Sequence, residues 1–470
     1  MLLINKGVNL KKRKDQSPLK RIWLEGKRLA RHVQIGAGMK ITDTETGIKV
    51  VFDNDKPDRT VSKRTSRGSE VPLIEISETN SKFLSEVSED AVLRIAINDK
   101  GINVSINQET VDLRIKEREE RTLKNLAEGK PLEKGSVFAG GGTFDYMGHK
   151  GFQKSGLATV VRLAIDYEES AVENLAANVG HVFDDKSILI ESDISLLKFG
   201  ANTPKLDLLT ITPPCVDACS SGKAKKGNKI ETSKTAHLIY YYSQLLDKSN
   251  PSYVLLENVP EFQSEASFLV LQALLNNWGY KTQIRVIEAN KEGFALETRK
   301  RMFLVAESEG LAGTFDLEAV TSLQEVPEKL SDIMDPFESI PEKSWSPKTG
   351  LIEKEKRDIE AGKGFRMQIF SGVESYIGTL RAQYQKSGSS DPLFSHPDED
   401  KKLFRIANKN EHARIKQIDE ALVEGLTEGE AHTILGNGLI GSIAEAICYY
   451  LGKAIKQLCY VDMTPKTAAA

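Results

Sequence analysis

From Gly135 onward, short apolar runs alternate with stretches in which apolar residues recur at helical spacing. The runs SVFAG, TVVRLAIDY, SILIESD, KLDLLTIT, YVLLENV and RMFLVAE read as strands, and Ser170 to Asn178, Lys234 to Leu246 and Ser267 to Trp278 read as the helices between them. That order predicts an α/β fold with a doubly wound, mostly parallel sheet, whose carboxyl-edge loops are where a site belongs. Before Gly135 the rhythm is different. GIKVVFDN, VPLIEI, VLRIAIND and GINVSIN are short β-branched runs, and Asp99-Lys100-Gly101 predicts a hairpin corner between the last two, so residues 21–110 read as a small β-rich accessory domain. Leu113 to Glu128 is charged and amphipathic and is followed by Gly129 and Pro131, which predicts a helical linker over 111–131.

The alternating pattern fills 132–309. Residues 310–374 lose it and are rich in Pro, Ser, Glu and Lys, as expected of an inserted domain, and 375–463, with the apolar helix Ser442 to Leu458, return to complete the first body. Residues 1–20 and 464–470 read as tails, the first of them basic.

Composition changes this picture in three places. A chain of 470 residues with 40% hydrophobic and 28% charged side chains has material for two or three cores, and no run approaches the roughly 18 to 20 apolar residues of a membrane helix, so a soluble, cytoplasmic protein is expected. Four cysteines, Cys215, Cys219, Cys448 and Cys459, do not make a disulfide framework in so long a chain, and their spacing suggests no zinc site. The net charge of −3 hides local basic stretches: residues 1–31 hold ten Lys or Arg against two acidic residues, and Lys223, Lys225, Lys226 and Lys229 share a loop with Gly222 and Gly227. Either stretch suits a phosphate backbone, and either also suits a solvated surface.

Candidate chemistry gathers at the predicted strand ends. Val137 to Phe144 is an apolar strand entering three glycines, Gly140 to Gly142, which let backbone approach a ligand or simply make a tight turn. The next strand ends in Asp166-Tyr167, a carboxylate placed for a ribose diol and a ring able to stack on an adenine; Glu191-Ser192-Asp193 ends a third strand with a further acceptor. Three such ends in succession point to an adenosine-containing cofactor. Thr212-Pro213-Pro214-Cys215 follows LDLLTIT and puts a thiol on a carboxyl-edge loop, where a thiolate is a nucleophile and a buried thiol would be mere packing. Glu257-Asn258-Val259 ends the next strand. A carboxylic acid beside a nucleophilic cysteine suits a pyrimidine, since attack at C6 develops charge that an acid at N3 stabilises. In Glu297 to Val305, period-two alternation would put Arg299 and Arg301 on one face, for a base carbonyl or a phosphate.

In order, FAGGGTFDYMGHKGF, AIDY, ESD, LDLLTITPPC, LLENVPEF, ETRKRMFLVA and ILGNGLIGSIAEAI resemble the motif set of the C5-cytosine DNA methyltransferases over about residues 135–460. The resemblance implies a class I S-adenosylmethionine-dependent fold with the cofactor held at Phe138, Ala139, Gly140, Gly141, Gly142, Asp166, Tyr167, Asp193, Ile194 and Pro213, and closed by Asn437 and Gly438. It implies catalysis by Cys215 and Glu257 with Arg299 and Arg301 near the base, no metal, and a target recognition domain at 310–374. The expected partner is double-stranded DNA in the cytoplasm, at the nucleoid, with no membrane; a cognate restriction endonuclease or a regulatory partner stays open. The sequence departs from the family at Val216, where Gln is usual, at Cys219 in place of Ser, and at Leu296-Glu297 in place of Pro-Gln. YIGTLRAQY, SSDPLFSHP and NKNEHARIKQID are similar to plasmid and mobile-element members, and IWLEGKRLARHVQIGAGMKI with VSKR and PLIEI resembles SymE- or AbrB-like barrels. An amino-methyltransferase would carry an aromatic ring where Cys215 stands. A tRNA-type RNA cytosine-5 methyltransferase and a catalytically silent DNA-binding regulator remain as alternative functions.

Overall fold

A computed structural model describes residues 1–12, 18–44, 46–66, 68–87, 91–106, 111–214 and 235–461. The chain divides into two compact units, Met1–Leu113 and Arg114–Ala470.

The first unit holds strands β1 (Leu2–Gly7), β2 (Asn9–Lys12), β3 (Pro18–Glu25), β4 (Gly38–Thr44), β5 (Gly47–Phe52), β6 (Arg59–Thr60), β7 (Ser62–Ser66), β8 (Ser69–Ser77), β9 (Val92–Asn98) and β10 (Gly101–Ile106). They form two antiparallel sheets, in the orders β1-β9-β10-β5-β4-β6 and β2-β3-β8-β7. Alternate residues of each face a shared core: Ile22, Leu24, Ile74 and Ile76 from one, and Ile48, Val50, Ile95 and Ile97 from the other. The β9–β10 corner falls at Asp99-Lys100, where the Asn98 side chain accepts the N–H groups of Lys100 and Gly101. Residues 1–12 and 18–20 are not a tail. β1 pairs along its whole length with β9, β2 pairs with β3, and Leu2 and Ile4 pack against the core. Lysine density masks this in the sequence, because in a half-buried strand every second side chain faces outward.

In the second unit β11 (Leu132–Val137), β12 (Thr159–Asp166), β13 (Ile188–Glu191), β14 (Leu208–Ile211), β15 (Tyr253–Asn258), β16 (Tyr280–Glu288) and β17 (Lys300–Ser308) form one sheet in the order β13-β12-β11-β14-β15-β17-β16. β11 to β15 are parallel, and β17 runs antiparallel to both β15 and β16. Neighbouring residues on one strand feed opposite cores. Leu208, Leu255 and Phe303 pack with Phe144, Met147, Ile443 and Ile447 of helices Thr143–Ser155 and Gly441–Val461, while Leu209, Leu256 and Leu304 pack with Tyr242, Leu245, Phe268 and Leu271 of helices Leu238–Ser249 and Ala266–Asn277. Both faces are therefore covered, as a parallel sheet requires, and the strand order reverses between β11 and β14, which opens a crevice at their carboxyl ends.

The expected inserted domain has different limits. Leu311, Phe315, Leu317 and Val320 belong to the core beneath helix Gly441–Val461. A separate small core runs from Leu330 through Phe370, Ile377, Leu380 and Phe394 to Ile415, around a sheet of β18 (Gln368–Phe370), β19 (Pro392–Ser395) and β20 (Phe404–Arg405). A boundary at 374 would cut between β18 and its partner β19, whose register starts at Gln368 opposite Pro392. Among the described residues no single helix is long and apolar enough to cross a membrane, and the bent pair Glu428–Asn437 and Gly441–Leu458 contributes its apolar side chains to the cores.

Helix Val111–Ala127 is held by several polar contacts, among them Arg118 to the Gly279 carbonyl and a cluster on one buried carboxylate. Asp207, fully buried just before β14, accepts Thr122 Oγ1 at 2.6 Å, Asn125 Nδ2 at 3.2 Å and the Glu133 N–H at 2.9 Å. Truncation leaves those donors unpaired, so Asp207→Ala is expected to destabilise this unit by about 3 kcal/mol, read as a lower urea midpoint.

Candidate active site at the carboxyl edge of the sheet

Immediately after β11 the chain turns sharply. Phe138, Gly140 and Gly142 have φ of +59°, +55° and +86°, and Gly142 is the N-cap of helix Thr143–Ser155. Phe138 adopts this conformation without being glycine and is held there: its carbonyl accepts Thr212 Oγ1 at 2.6 Å, and its ring stands edge-on to Tyr242 at 6.0 Å. The glycines divide the work. A Cβ on Gly141 would collide with Ile434 of helix Glu428–Asn437, whereas Gly140 borders open space. Ala139 is buried beside them.

The Asp166 carboxylate accepts the Gly140 N–H at 2.7 Å and the Glu168 N–H at 3.0 Å, tying the end of β12 to the glycine turn. Tyr167 is 67% exposed. The third strand end is adjacent, since the Ser192 N–H donates to the Asp166 carbonyl at 2.8 Å. There Asp193 accepts the Ser195 N–H at 2.8 Å, a bond that holds its carboxyl below the usual range. Ile194 is an apolar anchor in the core, and the Leu196 beyond it is exposed. Asn437 is exposed at the end of helix Glu428–Asn437, and a Cβ on Gly438 would lie 2.9 Å from Thr143 Oγ1, which puts this late segment against the glycine turn.

On the other side of the crevice, Asn258 is buried at the end of β15 and donates through Nδ2 to the Pro213 carbonyl at 2.9 Å, while its own oxygen accepts the Val259 N–H at 2.8 Å. The residue after Glu257 is thereby pinned to the loop after β14. Pro214 ends the described part of that loop; Cys215, Cys219 and the basic residues Lys223 to Lys229 lie outside the described residues. Because β17 runs opposite to β15, its first residues meet the last residues of β15: Asn258 pairs with Met302 and Glu257 with Phe303. Glu257 Oε1 sits 3.0 Å from Arg301 Nε, with side chains only 12% and 17% exposed. Burial pushes the Glu257 carboxyl up, and the opposing pull of Arg301, Arg299 and Lys416 does not cancel it.

Arg299 stands just before the start of β17, its carbonyl accepts the Ala289 N–H at 3.0 Å, and its side chain is buried. It donates through Nη2 to the Gly436 carbonyl at 2.9 Å, and its Nη1 lies 3.3 Å from Glu297 Oε1. Arg299 is engaged by protein atoms rather than presented to a base. Glu297 in turn pairs with buried Lys416 at 2.7 Å and accepts the Leu380 N–H at 3.2 Å. Sequence reasoning gave no role to Asn258 or Lys416; a strand-end Asn is a legible signal, but a lysine more than a hundred residues from its partner leaves none.

Residues 132–453 match the family of C-5 cytosine-specific DNA methylases. Over 168 residues the chain is 30% identical to the Type II methyltransferase M.SacI of Streptomyces achromogenes, a stretch that spans 34% of this chain and 42%, less than half, of that protein. The fold is shared with the Entamoeba histolytica methyltransferase EhMeth, at 15% identity and a TM-score of 0.53, and with the S. pombe Dnmt2 methyltransferase, at 17% and 0.53; each likeness covers 70% of this chain and 99% of the other. With more than two thirds of its length inside the family match, the chain belongs to the C-5 cytosine-specific DNA methylase family.

Proposed function

We propose that the chain transfers a methyl group from S-adenosylmethionine to C5 of a flipped cytosine in double-stranded DNA, by way of a transient bond between Cys215 and C6. The observation that supports this reading is the Asn258–Pro213 hydrogen bond, which links the strand end bearing Glu257 to the loop whose sequence reaches Cys215 two positions after Pro213.

The cofactor side fits its ligand in three respects: open space over Gly140, the exposed Tyr167 ring, and carboxylates at two adjacent strand ends, Asp166 and Asp193. Asp166 would hold the ribose, Tyr167 and Asp193 the adenine, and Phe138, Ala139, Gly140, Gly141, Gly142, Ile194, Pro213, Asn437 and Gly438 would line the cradle. When bound, S-adenosylmethionine supplies a sulfonium methyl group, which C5 takes as the donor leaves as a neutral thioether. The protein's part is to make C5 nucleophilic. The Cys215 thiolate forms the S–C6 bond, and the displaced electron pair is drawn toward N3, where Glu257 holds a proton that its burial favours. Arg301 orients that carboxyl. Loss of the C5 proton to a base restores the C5–C6 double bond and expels the thiolate. Flipping requires a few kcal/mol, to be offset by contacts with the duplex. Target reading is assigned to the small core around β18 to β20, where Val373 and Tyr376 are 71% and 51% exposed, close to Ile377, whose N–H donates to the Leu296 carbonyl at 2.9 Å.

Bisulfite sequencing of DNA from cells expressing the chain is expected to find cytosine methylation in one sequence context and none with Cys215→Ala. An intact protein that binds S-adenosylmethionine yet leaves DNA unmethylated would overturn the DNA reading and favour RNA. Asn258→Ala frees the Pro213 loop, so kcat is expected to fall on the order of 10²-fold with cofactor affinity retained. Glu257→Gln keeps the shape but removes the titrating proton, and single-turnover rates on DNA are expected to drop by about 10²-fold or more.

A further inference from the structure

Behind the paired Glu257 and Arg301 lies a cluster of charges that the proposed chemistry does not use. Glu297, Arg299 and Lys416 are each 3% exposed or less, and with their partners Leu380 and Gly436 they join four segments distant in sequence. Glu297 bridges Lys416 at 2.7 Å and Arg299 at 3.3 Å, and also accepts the Leu380 N–H; Arg299 reaches across to the Gly436 carbonyl at 2.9 Å. Gly436 lies in the last turn of helix Glu428–Asn437, where carbonyls lack helical partners and a cation is favoured. A Cβ there would collide with the Arg381–Ala382 backbone, so only glycine lets the helix end approach this closely. The next two residues are Asn437 and Gly438, on the cofactor side. Two residues after Arg299 stands Arg301, on the base side.

We infer that Glu297 and Lys416 are positioning residues for the proposed methyl transfer: they aim Arg299 at the Gly436 carbonyl, so that the Asn437–Gly438 edge of the cofactor cradle is set from the same strand lead that sets Arg301 against Glu257. This rests on the functional reading above and extends it to residues that touch neither substrate nor cofactor. A scaffold alone would be built at lower cost from apolar side chains, because three buried charges must be desolvated and one positive charge remains uncompensated within the trio. What charge adds over an apolar strut is direction, since a guanidinium is fixed by its donors.

Lys416 is faced by Glu297 and Arg299 from the lead into β17, by Arg301 from β17 itself, by Glu257 from β15, and by His412 one turn earlier. His412 lies with its Nδ1 2.9 Å from that of His432, on helix Glu428–Asn437, and burial together with Lys416 keeps His412 uncharged. Burial, then Arg299, hold the Lys416 ammonium down at about 7, although Glu297 opposes them. As pH rises through that value the Lys416–Glu297 ion pair is lost, and the burial cost and the repulsion from Arg299 are relieved with it.

The test uses the full-length chain with Lys416→Met and the charge-balanced pair Lys416→Met/Glu297→Gln, because the single variant strands a buried carboxylate and can fail to fold. S-adenosylmethionine binding by calorimetry without DNA, and KM and kcat on DNA, are measured from pH 6 to 9. The expected result is a wild-type KM for S-adenosylmethionine that changes through about pH 7, and a folded double variant whose KM is about tenfold higher and flat with pH. A folded double variant that keeps the wild-type KM and its pH dependence would overturn the inference and leave the cluster as scaffold. Failure of the wild type itself to bind S-adenosylmethionine would instead overturn the functional reading on which the inference stands.

Discussion

A buried guanidinium has to find acceptors inside the protein, and Arg299 finds one beside it in sequence and one far along the chain. Its partners are Glu297 two residues earlier and the carbonyl of Gly436 at the end of a helix reached only after the small core of Leu330 to Ile415 has been built. The carboxyl-terminal part of the chain therefore cannot leave the catalytic sheet without stranding a charge, a loss of several kcal/mol. Apolar packing acts in the same direction, as Ile440, Ile443 and Ile447 fill the core that Phe144, Leu255 and Phe303 share. The ion-dipole contact differs in kind, because it fixes where Asn437 and Gly438 stand opposite the glycine turn.

That turn shows how backbone strain is used. Phe138 and two glycines occupy left-handed conformations within five residues, and Phe138 keeps its place through Thr212, which lies on the neighbouring strand end. The two loops at the reversal point of the sheet, one glycine-rich and one leading to Cys215, are thus hydrogen-bonded to each other before any ligand arrives. Asn258 adds the third loop through Pro213. Preorganisation of this sort is what a methyl transfer needs, since its rate is sensitive to the line between donor and acceptor.

Much of this was legible in the sequence, and what was not has physical reasons. Strand ends were legible because buried parallel strands read as near-continuous apolar runs, and these end within two residues of Asp166, Asp193, Pro213 and Glu257. The first residues misled because their lysines suggested a solvated tail, whereas β1 needs only every second residue to face inward and β2, mostly exposed, is held by its pairing with β3. The limits of the middle segment were hidden by its short strands: three residues of β18 pair with a partner more than twenty positions on, and no periodicity marks so brief an element. The burial of Arg299 and its bond to the Gly436 carbonyl were not legible, because that acceptor lies 137 positions further along the chain.

Strand direction is the part no hydrophobic pattern encodes. RMFLVAE would read equally well as another parallel strand, and in that case Arg301 would sit at the amino edge, the length of the sheet away from Glu257. The antiparallel pairing of β17 with both neighbours reverses this, so the entrance of β17 lies at the exit of β15 and the two side chains meet at 3.0 Å. Reversal has a second effect. A strand that begins at the carboxyl edge is preceded by a segment that also lies there, so Glu297 and Arg299 arrive beside the site as a consequence of the same pairing, close enough to Glu257 for their charges and that of Lys416 to act on it. One change of strand direction thus assembles both the pair that faces the crevice and the buried cluster behind it.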